Sequence, residues 1–498
     1  MVSFFYRLLL RLELFKLAIL HRVFVTDKNL YLFLNARELQ PILATIGRMR
    51  AHSVFLKAQK KCPAYRDFLR KEGYAGDAKF KLSDVPVMTK ENYVKCYSIE
   101  ERCYGGAIPS AGVVIDESSG STGQPNNWVR SAAERNDVKR ILQMNYGLIY
   151  SQSGIVLLNC FALGPWATGM NVSLSLVDVG ILKSIGPDQK KLENTLKLLG
   201  PKYRYLIFGY PPFIRSFVDG TELDLSKFHI DFVVGGEGIS EDLRSHLLRT
   251  AKTVISSYGA SDLEINIGIE TELTIALRRI CQKNGEISRQ IFGRDTPPMI
   301  FQYNSSNYVI ETNESGELIF TIGRESAAAP KIRYNLRDGG GVYTFQQLAE
   351  RLRPLGVNLA SLSSRFSYFP FVFVYGRNDS SVPFYGCKVF PSDLEQIINA
   401  DAALAACINS FQLRRVEDEQ LNSTLQIHLG KRRESTAVLP EDEELFTLVF
   451  TGLVRVNQDF REVTRMFQPS QVKVIVHEFE TGPFAGRDIR IKNNYIAH

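Results

Sequence analysis

The sequence predicts an α/β fold of mixed sheets flanked by helices, in at least two domains. Three observations carry that expectation. Short β-rich runs alternate with helical ones, at 155–160, 205–208, 232–234 and 253–256, and each is bordered on at least one side by Gly or Ser. The chain's 498 residues exceed what one hydrophobic core usually serves. The apolar run Gly112-Val113-Val114-Ile115 reads as a strand feeding the loop Glu117-Ser118-Ser119-Gly120-Ser121-Thr122-Gly123-Gln124-Pro125. Its glycines free the backbone while its hydroxyls compete for backbone hydrogen bonds, so helix and strand are both excluded.

Each element has its own reading. The loop can arrange N–H groups and hydroxyls around an oxyanion, as a nucleotide's phosphates require. It lacks the G-x-x-x-x-G-K-[ST] spacing of a P-loop NTPase, and taken alone it also fits a solvated linker. Residues 51–74 read as helix, break, helix around Cys62-Pro63, and 130–147 as a polar-then-apolar helix. A Gly-punctuated aromatic loop at 161–170 carries Trp166, and Tyr210 follows the 205–208 run. Loops beyond the carboxyl ends of strands are where ligands sit in open α/β sheets, so Trp166 could wall a substrate pocket; it could equally be core.

The apolar fraction of 45% and charged fraction of 23% are those of a globular protein. A net charge of +7 favours an anionic substrate or surface, and no dense Lys/Arg block with interleaved aromatics argues for nucleic acid. Seven cysteines, widely spread and without a C-x-x-C pair, fit a reduced cytoplasmic protein with neither disulfide framework nor zinc knuckle. Residues 4–20 look superficially like a signal sequence, but Arg7, Arg11, Glu13 and Lys16 interrupt them. An amphipathic helix fits better, packed on the protein's own body or docked on a membrane surface or a partner.

Four later stretches follow the loop in a fixed order. They are Gly235-Gly236-Glu237-Gly238, Tyr258-Gly259-Ala260-Ser261-Asp262, Arg333-Tyr334-Asn335-Leu336-Arg337-Asp338, and Gly376-Arg377-Asn378-Asp379 leading into Gly386-Cys387-Lys388-Val389-Phe390-Pro391-Ser392-Asp393-Leu394-Glu395. With the loop, the series resembles the adenylate-forming superfamily, in its phenylacetate-CoA ligase-like and capsule-biosynthesis branch, over about residues 63–395. The order of the motifs carries the resemblance more than any one of them.

The resemblance implies three segments: an N-terminal helical extension at 1–50, a large ATP- and acyl-binding domain at 51–375, and a small mobile α+β domain at 376–498. It implies ATP and Mg²⁺ as ligands and CoA as a candidate third, with a small carboxylic acid as substrate. Ser118, Ser119, Gly120, Ser121, Thr122 and Gly123 would hold the pyrophosphate end, and Gly235, Gly236 and Glu237 would lie against adenine. Tyr258, beside Gly259, would stack on the adenine face, and Asp338 would accept hydrogen bonds from the ribose hydroxyls. Arg377 would cap the ribose or phosphate. Asp262, or Glu264 in its place, would ligate magnesium, while Trp166, Tyr210 and Gly235 would line the acyl pocket. Thr122, Asp262, Arg377 and Lys492 would stand nearest the chemistry, although Lys492 lacks the usual G-K-x-x-R context and also reads as a surface lysine.

This sequence departs from the family pattern at three places. Gln124 stands where the phosphate loop customarily carries Lys, Asp262 where relatives carry Glu, and Arg337 where Gly is common. The resemblance implies adenylation of an aryl or fatty acyl acid followed by transfer to CoA or another thiol. Transfer to an amine or hydroxyl on a glycan, carrier or small metabolite is a second reading. A degenerate nucleotide-binding protein is a third.

Overall fold

The alternating apolar runs form the parallel half of an 11-stranded sheet. The computed structural model describes residues 34–497 except 75, 77–79, 118–125, 151–153, 165, 364–366, 378–380, 386, 418–422, 434–436, 458–459, 462–463, 465–466 and 486–495. A hairpin of β1 (Val113–Glu117) and β2 (Asn127–Ser131) precedes that sheet. Its parallel half consists of β3 (Ile155–Asn159), β4 (Ile181–Ser184), β5 (Arg204–Gly209), β6 (His229–Gly235) and β7 (Thr253–Tyr258). The antiparallel half adds β8 (Gly268–Ile269), β9 (Met299–Tyr303), β10 (Tyr308–Thr312), β11 (Glu317–Ile322), β12 (Tyr334–Tyr343) and β13 (Phe371–Arg377). The spatial order is β10-β11-β12-β13-β9-β8-β7-β6-β5-β3-β4.

Strands β3, β5 and β6 read as continuous apolar runs because helices cover both of their faces. On one face Leu157, Leu206, Phe208 and Val233 pack against α3 (Ala132–Ile149) and α4 (Ala167–Leu176). On the other, Val156, Leu158, Ile207, Phe232 and Val234 meet a larger core. To that core α1 (Gln40–Lys61), α2 (Pro63–Lys71), α5 (Gln189–Leu199), α6 (Pro211–Gly220) and α7 (Glu241–Leu247) contribute. Each fully buried Phe of this set stabilises the fold by about 1.5–3 kcal/mol. Three further helices, α8 (Glu272–Lys283), α9 (Gly285–Phe292) and α10 (Phe345–Leu352), cover the antiparallel half through Leu277, Ile291 and Leu348.

Two boundaries differ from the sequence reading. The helix expected over 130–147 begins at Ala132, because Ser131 caps it: the Ser131 hydroxyl accepts from the Glu134 N–H at 3.0 Å and the Glu134 carboxylate accepts from the Ser131 N–H at 3.4 Å. Arg130 therefore belongs to β2. The break at 62 is as expected, but α1 starts at Gln40, so the limit set at residue 50 falls inside a helix. That helix packs closely on the body, since a Cβ at Gly47 would stand 2.0 Å from the Ser305 carbonyl oxygen.

A separate hydrophobic core serves the C-terminal residues. It joins a hairpin, β14 (Val382–Phe384) with β15 (Cys387–Val389), to a four-stranded sheet. In that sheet β16 (Ile408–Glu417), β17 (Ser423–Lys431), β18 (Val472–His477) and β19 (Ile496–Ala497) run in the order β18-β17-β16-β19. Helices α11 (Pro391–Ala400), α12 (Ala402–Cys407) and α13 (Asp442–Val456) pack on it. Leu394, Ile397 and Ile398 of α11 enter this core. The opposite face of α11, at Ser392, Glu395, Gln396 and Asn399, is left for the large sheet's side of the molecule. Among the described residues no helix is long and apolar enough to cross a membrane, and Cys62, Cys96, Cys103, Cys160, Cys281 and Cys407 are not in disulfides.

Candidate active site

A cavity of about 650 Å³ opens beyond the carboxyl ends of the parallel strands, and α11 roofs it. Trp166 and Tyr210 wall it after β3 and β5, Gly236 and Glu237 after β6, and Gly259 and Asp262 after β7, while Tyr334 and Asp338 enter from β12. Strand ends therefore bring together residues that lie far apart in sequence.

Backbone approach explains three glycines. Gly236 has φ +81°, and a Cβ there would stand 2.3 Å from the Tyr210 ring. A Cβ at Gly259 would stand 2.3 Å from the Ile265 carbonyl carbon, and one at buried Gly235 would press on the Ser257 carbonyl oxygen at 3.2 Å. Tyr210 is held edge-on by Phe161, with ring centroids 5.1 Å apart. Burial pushes its phenol up to about 12, so at neutral pH the wall is uncharged there.

Tyr258 donates its hydroxyl proton to Asp338 at 2.5 Å, and its ring stacks on Phe301 with centroids 5.6 Å apart. Burial, reinforced by the Asp338 charge, holds the phenol well above its ordinary value and keeps it a donor. Asp338 in turn faces Arg377 across the β12–β13 ladder. Asp262 accepts from the Trp128 indole N–H at 2.9 Å and from the Tyr334 hydroxyl at 3.1 Å. Each of its two oxygens thus keeps acceptor capacity on a carboxylate that lines the cavity.

The described residues on either side of 118–125 meet at this site. Glu117 lines the cavity, bridges Trp166 and pairs with Asn127 in the β1–β2 register, so the residues flanking 118–125 stand at the cavity's edge.

No protein-family model and no curated protein matches the chain. Solved structures do. A 2-hydroxyisobutyryl-CoA ligase in the postadenylation state, in complex with R3-HIB-AMP, has a TM-score of 0.63 at 13% identity, covering 93% of this chain and 90% of that one. With 2-HIB-AMP the same state gives 0.62 over the same shares. The thioesterification state, with 2-HIB-AMP and CoA, gives 0.52. This chain has the fold of the AMP-forming CoA ligases.

Within that fold, the cavity gathers Gly235, Gly236, Glu237, Tyr258, Gly259, Asp262, Asp338, Trp166 and Tyr210 in or beside its walls. Ser118, Ser119, Gly120, Ser121, Thr122, Gly123 and Lys492 fall outside the described residues. Glu264 requires correction. It is buried away from the cavity, with Arg324 Nε at 2.6 Å on one oxygen and the Tyr308 hydroxyl at 2.5 Å on the other. Its carboxylate belongs to a structural ion pair, and it cannot replace Asp262.

Sequence reading overlooked two groups. Trp128, which orients Asp262, is one of only two tryptophans and follows the loop directly, a signal that was available. The seam between α11 and the large sheet's side was not legible. There Arg294 lies over both Tyr375 and Phe390, 4.0 and 4.2 Å from the ring centroids. The Thr296 hydroxyl donates to Gln396 at 2.8 Å, and Arg215 donates to Asn399 at 2.9 Å.

Glu395 sits between those contacts on the same face of α11, half-buried in the cavity wall. Burial, with Glu237 facing it from the loop after β6, pushes its carboxyl from 4.5 up to about 7. Arg278 of α8 and Arg215 of α6 oppose the shift, but Arg278 is already committed to Glu241 of α7 at 2.8 Å. The closed seam therefore binds a proton more tightly than a solvated Glu would. Its contribution to holding α11 against the cavity wall is fully present below pH 4.5 and is lost as pH rises through about 7. Small-angle scattering against pH should show expansion across that window in wild type and a flat profile in Glu395→Gln. An unchanged midpoint in the variant refutes the assignment.

Proposed function

We propose that this chain adenylates a carboxylic acid. The acid's carboxylate attacks the α-phosphate of ATP, giving acyl-AMP and pyrophosphate, and the acyl group then passes to CoA or another thiol. One observation carries the reading: a single cavity, in a CoA-ligase fold, joins the Gly236 cradle, the Tyr258–Asp338 pair and the Asp262 carboxylate beside the residues flanking 118–125.

In this reading adenine lies along Gly235, Gly236 and Glu237 and against Tyr258, and the ribose hydroxyls donate to Asp338, which Tyr258 holds in place. Arg377, opposite Asp338, caps the nucleotide. The Ser118–Gly123 backbone and hydroxyls, Thr122 among them, receive the pyrophosphate end. Gln124 removes one charge from that loop, while Lys90, Lys95 and Arg337 along the cavity offer positive charge from other elements.

Asp262 is the proposed Mg²⁺ ligand, and its arrangement fits. Two donors fix the carboxylate while leaving it acceptor capacity, and among the described residues no third acidic, His or Cys neighbour completes a cage. Mg²⁺ commonly takes one or two carboxylates, with phosphates and water filling the rest, and would neutralise phosphate charge there. Lys492 is the proposed lysine of the C-terminal residues. No covalent protein nucleophile is required; positioning and charge stabilisation supply the rate. The acid's tail, aryl or acyl, lies toward Trp166 and Tyr210.

The test is ATP–pyrophosphate exchange by purified protein with Mg²⁺ and a panel of acids, without any acceptor. Acid-dependent exchange, abolished or strongly reduced in Asp262→Ala, is the expected result. ATP binding with no exchange from any acid would sink the reading.

A further inference from the structure

Beside the cavity lies a second, much smaller space of about 40 Å³, walled by α3, α4 and the sheet. Thr168, Gly236, Ser257, Gly259 and Ala260 line both spaces, so the recess abuts the cavity at the strand ends. Leu142, Tyr146, Val172 and Phe208 form its interior. No Asp, Glu, Lys, Arg or His lines it among the described residues, and the Ser257 hydroxyl is paired with Asn266 at 2.6 Å. A charged tail would therefore lose its hydration with no counter-charge in return.

The floor is rigid. Tyr146 stacks on Tyr150 with centroids 6.1 Å apart and meets Phe208 edge-on at 5.6 Å, and burial keeps its phenol neutral. A space of 40 Å³, where one water-sized group needs about 10–15 Å³, holds roughly three or four heavy atoms. A phenyl ring or a long alkyl chain needs more, and interiors packed this closely do not open for it cheaply.

We infer that the acid is short, uncharged and aliphatic, with a tail of about three or four carbon atoms seated between Leu142, Tyr146, Val172 and Phe208. This inference rests on the adenylation reading and narrows its aryl or acyl tail to one class. Leu142 and Val172 set the length limit.

The full chain with Mg²⁺ would be assayed for acid-dependent ATP–pyrophosphate exchange with propionate, butyrate, isobutyrate, hexanoate, succinate, benzoate and phenylacetate. Butyrate or isobutyrate should lead in kcat/KM, with hexanoate, succinate and both aryl acids about tenfold or more behind. Leu142→Ala should move the optimum toward hexanoate; Val172→Ala makes the same test should the first variant fail to fold. Exchange led by phenylacetate, benzoate or hexanoate in wild type overturns the inference while leaving adenylation standing. An unchanged order of acids in the folded variants also overturns it. No exchange with any acid, despite measured ATP binding, removes the adenylation reading and this inference with it.

Discussion

Asp338→Ala should weaken ATP binding by about 10- to 100-fold, the loss of roughly 1.5–3 kcal/mol that accompanies removal of a charged hydrogen-bond acceptor. In the proposed pose the carboxylate accepts from two ribose hydroxyls, and its position is set from two sides. Tyr258 donates to it at 2.5 Å, and β12 places it opposite Arg377 of β13. Tyr258→Phe is the informative companion. It keeps the carboxylate and the ring but removes the tether, so it should cost several-fold less than Asp338→Ala. Titration calorimetry with ATP reads both, and circular dichroism checks the fold. ATP affinity unchanged in folded Asp338→Ala would sink the ribose assignment.

The parallel half of the sheet was legible because burial on both faces leaves a plain signature: β3, β5, β6 and β7 are short, apolar and bounded by Gly, Ser or acid. The break between α1 and α2 was legible for a similar reason, since Pro63 cannot continue a helix from within but can open one. The start of α3 was written in the sequence as Ser131-x-x-Glu134, yet composition alone drew the helix across Arg130.

Site residues divided along a physical line. Gly236, Tyr258, Asp262 and Asp338 stand at strand ends or on a strand facing the cavity, where local pattern and position coincide. Glu264 lies only two residues from Asp262 but turns inward to Arg324, sixty positions away. Which way a carboxylate turns depends on a partner that no local pattern names. The same holds for Glu395, whose motif was read but whose raised proton affinity arises from burial beside Glu237. The N-terminal reading at 4–20 and Lys492 lie outside the described residues.

Arg130→Ala should be the most damaging single change near the site. Arg130 is buried beneath the loop-bearing hairpin, with Nε on Asp116 at 2.9 Å and Nη1 on Glu134 at 3.2 Å. Its remaining donors reach the Leu263 and Ser261 carbonyls at 2.5 Å each. One side chain thus ties the strands that flank residues 118–125 to the segment that carries Asp262. Asp116 would keep Asn171 at 3.0 Å, and Glu134 would keep Lys331 at 3.6 Å with the Ser131 and Ala328 N–H groups at 3.4 Å each. Burial, with Arg130 adding repulsion, lowers that lysine to about 8. Removing the guanidinium therefore leaves buried anions under-compensated, a loss of about 3–5 kcal/mol. Thermal unfolding followed by calorimetry should show the transition of the large core shifted down, while the core around Leu394, Leu413 and Leu453 keeps its own. Arg130→Lys restores charge without the planar fork, so it should recover part of the stability but not pyrophosphate exchange, because the two carbonyls beside Asp262 lose their shared donor. Wild-type exchange in Arg130→Lys would mean that Asp262 is placed by Trp128 and Tyr334 alone.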